Sequence, residues 1–269
     1  MDPFAIGSQH PADEAPRISV VIPCRNDASL LAQCLADLGQ QTVPPDEIIV
    51  VDGYSTDNTA EVAAAAGARV VHPALPGIFP ATAAGFDAVQ NGIIARLDAD
   101  SRPPHDWIER IGRHFESAPT LTAVTGPGVF YGENRVIRWV AARFYIGGYF
   151  TFVGLLLGHP PLFGSNFAIR REAWERLRDR VNSHREDIHD DLDLSYHLEP
   201  DMLVRFDRSL RVGVSARPLA SWGALGRRLA MAYRTFRVDF GEERPLPRLR
   251  RRRRWRKRAD ARGLARPRR

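Results

Sequence analysis

The chain has 269 residues, of which 44% are hydrophobic and 26% are charged, and its formal net charge is +6. This length and composition are typical of one large or two small globular domains, and they exclude a disordered chain and a disulfide-stabilised miniprotein. No uncharged apolar run reaches the roughly 18 residues of a membrane-spanning helix. Residues 1–16 lack the apolar core of a secretory signal, so we expect a cytoplasmic protein in which Cys24 and Cys34 are reduced, buried thiols.

The positive charge is concentrated in the last part of the chain. Residues 248–269 contain 13 basic residues and one acid, which leaves the first 247 residues at −6. An arginine run can bind the phosphates of anionic lipids or nucleic acids, and it can equally be a solvated terminus. The sequence therefore predicts a mildly acidic globule followed by an Arg-rich tail.

Strand and helix patterns alternate along the first 115 residues. A β-branched apolar run at 17–23 predicts a buried strand, and the helical spacing of Leu and Cys after Asp27 predicts a helix that ends before Pro44. Further strands are predicted at 47–51, 68–71 and 93–97, and further helices after residue 57, at 81–90 and from 103 to 115. This order predicts a doubly wound, mainly parallel α/β sheet flanked by helices, which binds ligands at the carboxyl ends of its strands.

Polar clusters follow three of the predicted strands, at residues 24–27, 52–57 and 98–100. The turn after the first strand contains no glycine, and the chain has no G-x-x-x-x-G-K-[ST] segment. These absences argue against a dinucleotide-binding Rossmann domain and a P-loop NTPase. Folding stability does not require so many carboxylates at one sheet edge, so we interpret the clusters as a ligand site.

Asp98 and Asp100 are separated by one residue directly after a predicted strand. In an extended segment their side chains would point to the same face, roughly 7 Å apart. Two carboxylates this close repel each other unless a hard divalent cation lies between them. The pair therefore predicts a site for Mg²⁺ or Mn²⁺ with a diphosphate, and the alternative is a cap for the helix near Pro103.

Five segments, taken in order, resemble the family 2 glycosyltransferases of the GT-A fold. They are SVVIPCRND at 19–27, EIIVVDGYSTDNT at 47–59, ARLDAD at 95–100, GSNFAIRREAW at 164–174 and HDDLDLSYHL at 189–198. The resemblance implies a GT-A domain at 17–217 after a flexible segment at 1–16, with a donor half at 17–118 and an acceptor half at 119–217. It also implies an inverting, metal-dependent transfer of one hexose from a UDP- or GDP-linked sugar.

The resemblance assigns roles to individual residues. Asp191 matches the catalytic base, which would deprotonate the acceptor hydroxyl. Asp98 and Asp100 match the D-x-D carboxylates, the first near the ribose or metal and the second on the metal. The nucleotide contacts are Pro23, Arg25, Asp27, Asp52 and Asp98, and the acceptor-side candidates are Gly164, Ser165, Asn166, Asp190 and His159. If Ile188, Leu192 and Tyr196 face the core, Asp187 and Asp190 should turn toward solvent.

Several positions depart from the family pattern. Gly53 and Tyr54 stand where many members have Asp-Gly, and residues 77–86 lack the arginine that commonly precedes the helix there. No Q-x-x-R-W segment follows, which favours single-sugar transfer over processive synthesis. The departures leave open an alternative, a non-catalytic GT-A-like protein that binds a nucleotide sugar or a protein partner.

Two apolar features stand in the second half of the chain. The run at 139–158 has one charge, Arg143, and it could lie in a membrane interface or cover the active site. A basic amphipathic helical extension is predicted at 218–247, before the tail at 248–269. Its apolar face would comprise Trp222, Leu225, Leu229, Tyr233, Phe236 and Phe240. These features favour a peripheral protein on the cytosolic face of an anionic membrane, with a lipid or lipid-linked saccharide of the cell envelope as acceptor. We do not expect nucleic acid as a partner.

Overall fold

The computed structural model describes residues 15–132, 146–217 and 222–261, without the side chains of residues 222, 224, 225, 260 and 261. The strands are β1 (Ile18–Cys24), β2 (Glu47–Asp52), β3 (Arg69–Val71), β4 (Ile93–Arg96), β5 (Leu121–Thr125), β6 (Gly128–Tyr131), β7 (Phe167–Arg170), β8 (Leu203–Phe206) and β9 (Val212–Ser215). The helices are α1 (Ala28–Leu38), α2 (Thr59–Ala65), α3 (Ile78–Ala88), α4 (Trp107–Ser117), a π-helical turn (Tyr149–Val153), α5 (Gly154–Leu157), α6 (Arg171–Leu177), α7 (Asp190–His197), α8 (Trp222–Glu242) and α9 (Pro245–Ala261).

The main sheet has seven strands in the order β3-β2-β1-β4-β7-β5-β8. Strand β7 runs antiparallel to its neighbours β4 and β5, and the other pairings in this sheet are parallel. Strands β6 and β9 form a separate parallel pair. The expected mainly parallel α/β sheet flanked by helices is confirmed.

Both faces of the main sheet are covered by helices, as is usual for parallel strands. In β1, Val20 and Ile22 pack with α1 and α4 on one face, whereas Val21 packs with α3 and α6 on the other. Helix α3 lies close against the sheet at Gly85, where an added Cβ would lie 2.4 Å from Val21. The two apolar clusters make a three-layer core, and Cys24 and Cys34 are buried free thiols within it.

The strand order brings the polar clusters to one edge of the sheet. Strands β2, β1 and β4 are parallel neighbours, so their carboxyl ends lie side by side. Because β7 is antiparallel and Phe167 is paired with Arg96, the residues before β7 reach the same edge. An isolated bridge between Arg102 and Gly213 brings the end of β9 beside the turn that follows β4.

Two predicted helices have different bounds in the structure. Helix α3 begins at Ile78, three residues before the predicted start, and α4 begins at Trp107 instead of near Pro103. Residues 98–101 form a turn in which the Ser101 amide donates to the Asp98 carbonyl oxygen at 3.0 Å. The extended geometry expected for Asp98 and Asp100 is therefore wrong, because the chain turns back immediately after β4.

The Arg-rich segment differs from the expected tail. Helix α9 crosses the boundary predicted at residue 248 and packs against α5. Arg248 and Arg252 are only 1% and 4% exposed. They donate to the carbonyl oxygens of Tyr196, at 2.6 Å, and Leu198, at 2.7 Å. These carbonyls lie at the end of α7, where partial negative charge favours a cation, so the arginines stabilise that helix terminus.

Helix α8 does not bury the apolar face that its sequence predicts. Leu229 and Tyr233 are 60% and 69% exposed, whereas Thr235 and Asp239 are fully buried. The Thr235 hydroxyl accepts a hydrogen bond from the backbone amide of His189 at 2.9 Å, which ties α8 to the start of α7. Thr235 and Asp239 therefore face α7 together with Phe240, whose ring packs against Tyr196.

The segments expected at a membrane are only partly described. Residues 139–145, the side chains of Trp222 and Leu225, and residues 1–14 and 262–269 lie outside the described part of the chain. After residue 145, Phe152 and Leu155 are 75% and 72% exposed. Among the described helices, none combines the length and the hydropathy that a bilayer crossing requires.

Candidate functional site

A buried arginine links the carboxylates at the end of β4 with those of α7. Arg96 is 2% exposed, and its Nη1 lies 2.9 Å from Asp98 Oδ1 while its Nη2 lies 3.0 Å from Asp190 Oδ2. Burial alone would lower the pKa of Arg96, but Asp190, Asp98 and Asp191 together raise it. The guanidinium therefore stays charged and fixes the relative positions of β4 and α7.

Asp190 faces the protein interior and not solvent, so that expectation is wrong. Its carboxylate is 6% exposed and accepts a hydrogen bond from the Thr82 hydroxyl at 2.7 Å in addition to the Arg96 contact. The buried cation on β4 and the hydroxyl on α3 compensate for the burial of this charge. Asp190 is thus a positioning residue between three elements.

Asp191, the predicted base, lies at the start of α7 beside this ion pair. Its Oδ2 accepts a hydrogen bond from the Gly164 amide at 2.9 Å. Burial and the adjacent Asp190 raise the pKa of Asp191, while His189, Arg96 and the Gly164 amide oppose that rise. A carboxylate with a raised pKa is a stronger base than an ordinary surface aspartate.

Gly164 is required by close packing at this point. A Cβ on residue 164 would lie 2.5 Å from Arg96 Nη1 and 3.1 Å from Asp191 Oδ2. The next residue, Ser165, donates its hydroxyl to Asp98 Oδ2. The loop before β7 therefore contacts both Asp98 and Asp191.

A second cation joins two of the predicted donor-site carboxylates. Arg217 donates from Nη1 and Nη2 to the two oxygens of Asp27, at 2.8 and 2.9 Å, and from Nη2 to Asp100 Oδ2 at 2.8 Å. Burial and Asp98 raise the pKa of Asp100, and Arg217 opposes that rise. Asp27 and Asp100 thus face one common cation position.

The contacts at this cation position show whether the residues fit a divalent metal. Oxygens of Asp27 and Asp100 converge on the Arg217 guanidinium, which stands where a positive charge is needed, and carboxylate oxygens suit Mg²⁺ or Mn²⁺. Asp98 is placed differently, since its two oxygens contact Arg96 and Ser165. The residues present fit a metal on Asp100 with Asp27, and Asp98 is oriented away from that role.

The two loops after β1 and β2 are joined where the nucleotide contacts are predicted. The Asn26 amide donates to Ser55 Oγ at 2.9 Å, and the Thr56 amide donates to Asn26 Oδ1 at 2.7 Å. Asp52 is 6% exposed and accepts a hydrogen bond from the Ser55 amide at 3.1 Å. Pro23 is buried in β1, and Arg25 is exposed at the rim of the loops.

Tyr54 adopts a left-handed backbone conformation with φ of 63°. A non-glycine residue is uncommon there, and the conformation is held by the surrounding structure. The Tyr54 hydroxyl donates to the Pro73 carbonyl oxygen at 2.9 Å. The turn is therefore retained although Gly53 and Tyr54 replace the Asp-Gly of many family members, and Tyr54 has a strained backbone.

Two acceptor-side candidates have contacts elsewhere. Asn166 is fully buried, where its Oδ1 accepts from the Trp107 indole at 2.9 Å and its Nδ2 donates to the Leu210 carbonyl at 2.7 Å. His159 is 5% exposed, and its Nε2 lies 3.4 Å from Arg248 on α9. Burial, with Arg252 and Arg248, lowers the pKa of His159. Asn166 therefore supports the fold around the site, whereas His159 lines a groove beside α9.

Three residues of the site were missed from the sequence: Arg96, Arg217 and Thr82. Arg96 carried a readable signal, because a charged residue inside an apolar strand requires a buried partner. Arg217 and Thr82 carried none, since their contacts join elements that are 190 and 108 residues apart in the chain.

Curated relatives match parts of the chain. Glycosyltransferase AglE of Haloferax volcanii is 32% identical over 103 residues, which are 35% of this chain and 34% of that protein. A PGL/p-HBAD biosynthesis glycosyltransferase of Mycobacterium tuberculosis is 33% identical over 135 residues, which are 48% of this chain and 52% of that protein. The matches thus span about a third to a half of these relatives.

Solved structures share the fold. The mannosyltransferase PcManGT of Pyrobaculum calidifontis, in complex with GDP-Man and Mn²⁺, aligns with a TM-score of 0.61 at 18% identity over 93% of this chain and 76% of that one. Glucosyl-3-phosphoglycerate synthase of M. tuberculosis, with Mn²⁺ and UDP-glucose, aligns with a TM-score of 0.59 at 21% identity over 86% and 81%. The profile of the family described as Glycosyl transferase family 2 matches residues 19–178. The expected family is therefore confirmed, and this chain belongs to glycosyl transferase family 2.

Proposed function

We propose that this protein is an inverting, metal-dependent glycosyltransferase that moves one hexose from a nucleotide-diphosphate sugar to a lipid or lipid-linked acceptor. The observation that carries the proposal is the position of Asp191. Its carboxylate is held by the Gly164 amide and lies near Arg96, which pairs with Asp98 of the D-x-D turn and with Asp190. The proposed base thus lies near the carboxylates that suit a metal ion bound to the donor diphosphate.

Asp191 would accept the proton of the acceptor hydroxyl as its oxygen attacks the anomeric carbon. The bond to the nucleoside diphosphate breaks on the opposite face, so one displacement inverts the anomeric configuration. The raised pKa of Asp191 favours this proton transfer. An acceptor that is already ionised, such as a lipid phosphate, would need less help from the base.

The donor would lie across the joined loops after β1 and β2. Asp52, Asp27 and Arg25 line that edge and supply the nucleotide contacts that the family resemblance implies. A metal held by Asp100 and Asp27 would neutralise charge on the leaving diphosphate. Arg217 would then be released from these carboxylates and could pair with a phosphate oxygen, because guanidinium binds phosphate well.

A groove beside α9 supports a lipid acceptor. It has a volume of about 580 Å³, apolar walls that include Phe150, Leu155 and Phe206, and a basic wall formed by Arg252, Arg253 and Arg256. The residues that line it include no acid. Apolar walls beside arginines that face no acid within the groove suit an anion that carries a hydrocarbon chain.

Exposed apolar side chains next to this groove support peripheral membrane association on the cytosolic face. Phe152 and Leu155 are both more than 70% exposed, and Leu155 lines the groove together with arginines of α9. Apolar side chains flanked by cations favour insertion at an anionic bilayer surface. Phe152→Ser combined with Leu155→Ser should therefore reduce sedimentation with vesicles of phosphatidylglycerol and phosphatidylcholine. Val43→Ser, in the loop before β2, is the control, and equal binding by all variants would contradict the membrane assignment.

Thermal stability with nucleotides tests the donor assignment. UDP, GDP and their common hexose derivatives are added with and without Mn²⁺ or Mg²⁺, and a ligand of the folded state raises Tm according to RT ln(1 + [L]/Kd). We expect a metal-dependent rise with one nucleotide, and loss of that rise in Asp100→Ala. If no nucleotide raises Tm, the proposed glycosyltransferase function is contradicted.

The non-catalytic alternative is motivated by the departures from the family pattern at Gly53 and Thr82. It predicts the same nucleotide-dependent rise in Tm but no transfer of labelled sugar to lipid extracts, in wild type or in Asp191→Asn. Transfer by the wild type that Asp191→Asn abolishes would exclude it.

A further inference from the structure

A buried cluster of ionisable side chains joins α7 to α8 on the far side of Asp191. Asp193, His197 and Asp239 each offer one ligand atom, and these atoms lie within 4.8 Å of one another. Asp193 and Asp239 are fully buried and His197 is 7% exposed. Within the described residues this is the one group of three or more potential metal ligands that meets this geometry.

Asp239 faces the Asp193 carboxylate and receives no hydrogen bond from a donor group. Both of its carboxylate oxygens are buried and have no hydrogen-bond partner. Burial, reinforced by the neighbouring carboxylate of Asp193, raises the pKa of Asp239 to about 9. A buried carboxylate in such surroundings requires either a proton or a cation.

The surrounding groups orient the cluster as the second layer of a metal site does. His197 Nδ1 lies 2.8 Å from the backbone carbonyl oxygen of Asp193 and 3.3 Å from Asp193 Oδ2, and His197 Nε2 lies 2.9 Å from Glu242 Oε2. A metal on Nδ1 would replace the proton that this nitrogen shares with the carbonyl oxygen. The Asn182 side-chain amide donates to both Asp193 Oδ1, at 2.9 Å, and Glu242 Oε1, at 3.0 Å. Histidines that bind metals commonly donate their other ring nitrogen to a carboxylate, as Glu242 provides here.

We infer that Asp193, His197 and Asp239 form a binding site for a divalent first-row transition metal ion, with zinc as the best match. Tetrahedral zinc with bonds of about 2.1 Å separates its ligand atoms by about 3.4 Å, close to the spacing of His197 and Asp193. One nitrogen and two carboxylate ligands suit zinc better than calcium, which takes six to eight oxygens. A water molecule would complete the coordination, because both carboxylate oxygens of Glu242 accept hydrogen bonds, from His197 and from Asn182.

This site is separate from the donor metal at Asp100 and does not depend on the proposed transferase activity. Its ion would clamp α8 to α7, the helix that begins with Asp190 and Asp191. The contact of Thr235 with the His189 amide joins the same two helices one turn away. The expected role is therefore structural support for the helix that carries the base.

The alternative to a bound metal ion is protonation of the same side chains. Burial would lower the pKa of His197, but hydrogen bonds and charge from Asp193 and Glu242 raise it to about 9. Protonation of both His197 and Asp239 would add two positive charges to the cluster, as one bound divalent ion does. Asp239→Asn separates the two states, because the amide resembles a protonated carboxyl group and is a poor zinc ligand.

The test measures metal content and Tm on the full chain in an Asp100→Ala background, which removes the donor metal. After growth with zinc and extensive dialysis, we expect close to one zinc per chain. Asp239→Asn should weaken zinc binding by at least about a hundredfold, since changes outside the ligand set already cost ten- to a hundredfold. Zinc added to chelator-treated protein should raise Tm in the parent but not in Asp239→Asn.

Asp179→Asn is the matched control, because its side chain is 90% exposed and it removes the same charge. It should retain zinc and the rise in Tm. A parent chain that holds no zinc and gains no Tm from it would overturn the inference, as would equal zinc retention by Asp239→Asn. In that case, a Tm of Asp239→Asn equal to that of the parent would indicate that the cluster is protonated and holds no metal.

Discussion

Arg217 Nη2 donates a hydrogen bond to Asp100 Oδ2 at 2.8 Å, so a protein cation occupies the carboxylate expected to bind the donor metal. The same guanidinium also contacts both oxygens of Asp27. Strand β9 carries Arg217 to this position because Gly213 is bridged to Arg102, just after the D-x-D turn. A metal that enters must therefore displace Arg217.

Arg217→Ala should strengthen the binding of Mn²⁺ in the absence of nucleotide. A partly exposed ion pair contributes up to about 1 kcal/mol, so removal of this competitor should lower the Kd by up to about fivefold. Titration calorimetry or the Mn²⁺ resonance signal would measure it. Arg211→Ala, another exposed arginine near β9, should leave the Kd unchanged, and a weaker or unaltered affinity in Arg217→Ala would exclude the competition.

Asp191→Asn should lower kcat by about a hundredfold or more and leave donor binding intact. The change removes the base while the amide can still accept the hydrogen bond from Gly164. Steady-state kinetics with the matched acceptor, together with the nucleotide-dependent Tm, would separate the two effects. Asp187→Asn provides the control, since the Asp187 side chain is partly exposed and pairs with Arg185. A near-normal kcat in Asp191→Asn would remove Asp191 from the role of base.

The pH dependence of kcat should reflect the raised pKa of Asp191. The base acts only when it is deprotonated, so kcat should fall as the pH drops through a pKa above that of an ordinary aspartate. Asp190 is one cause of the rise, and Asp190→Asn should therefore move this acid limb to lower pH. Rate profiles of the two proteins would show the shift, and coincident acid limbs would contradict it.

The strand pattern and the two acidic motifs were readable from the sequence because they depend on local order. Apolar runs predict β1, β2 and β4, and these strands are parallel neighbours whose carboxyl ends lie together. Asp98 and Asp100 could therefore be placed at the ligand-binding edge of the sheet from strand order, whereas Asp191 was assigned through the family resemblance. Their individual orientations could not be predicted, because a turn instead of an extended segment decides which way Asp98 faces.

Contacts between distant segments explain the predictions that were wrong. Asp190 was placed toward solvent on helical spacing alone, and only the buried Arg96 of β4 makes its inward position favourable. The arginines of 248–252 looked like a solvated tail because their partners are backbone carbonyls, which no sequence pattern identifies. Buried charges thus mark the places where local patterns are insufficient.

Gly164→Ala should destabilise the protein and displace Asp191. The added methyl group would overlap Arg96 Nη1, and overpacking of this kind typically costs about 1–3 kcal/mol. We expect a lower midpoint in chemical denaturation and a reduced kcat. Gly92→Ala is the matched control, because nothing lies within 4 Å of a Cβ at residue 92. Equal stability of the two variants would show that the loop before β7 adjusts freely.

Arg248→Met tests whether α9 is part of the folded domain. The substitution keeps much of the side-chain volume but removes the donors to the carbonyls of Leu157 and Tyr196, both at 2.6 Å. A hydrogen bond from a charged donor contributes about 1.5–3 kcal/mol, and buried acceptors are left without a partner, so we expect a loss of at least about 2 kcal/mol. Arg254→Met, at an exposed position of the same helix, should change stability by less than about 0.5 kcal/mol. Urea denaturation would compare the two, and matching midpoints would mean that α9 does not stabilise the end of α7.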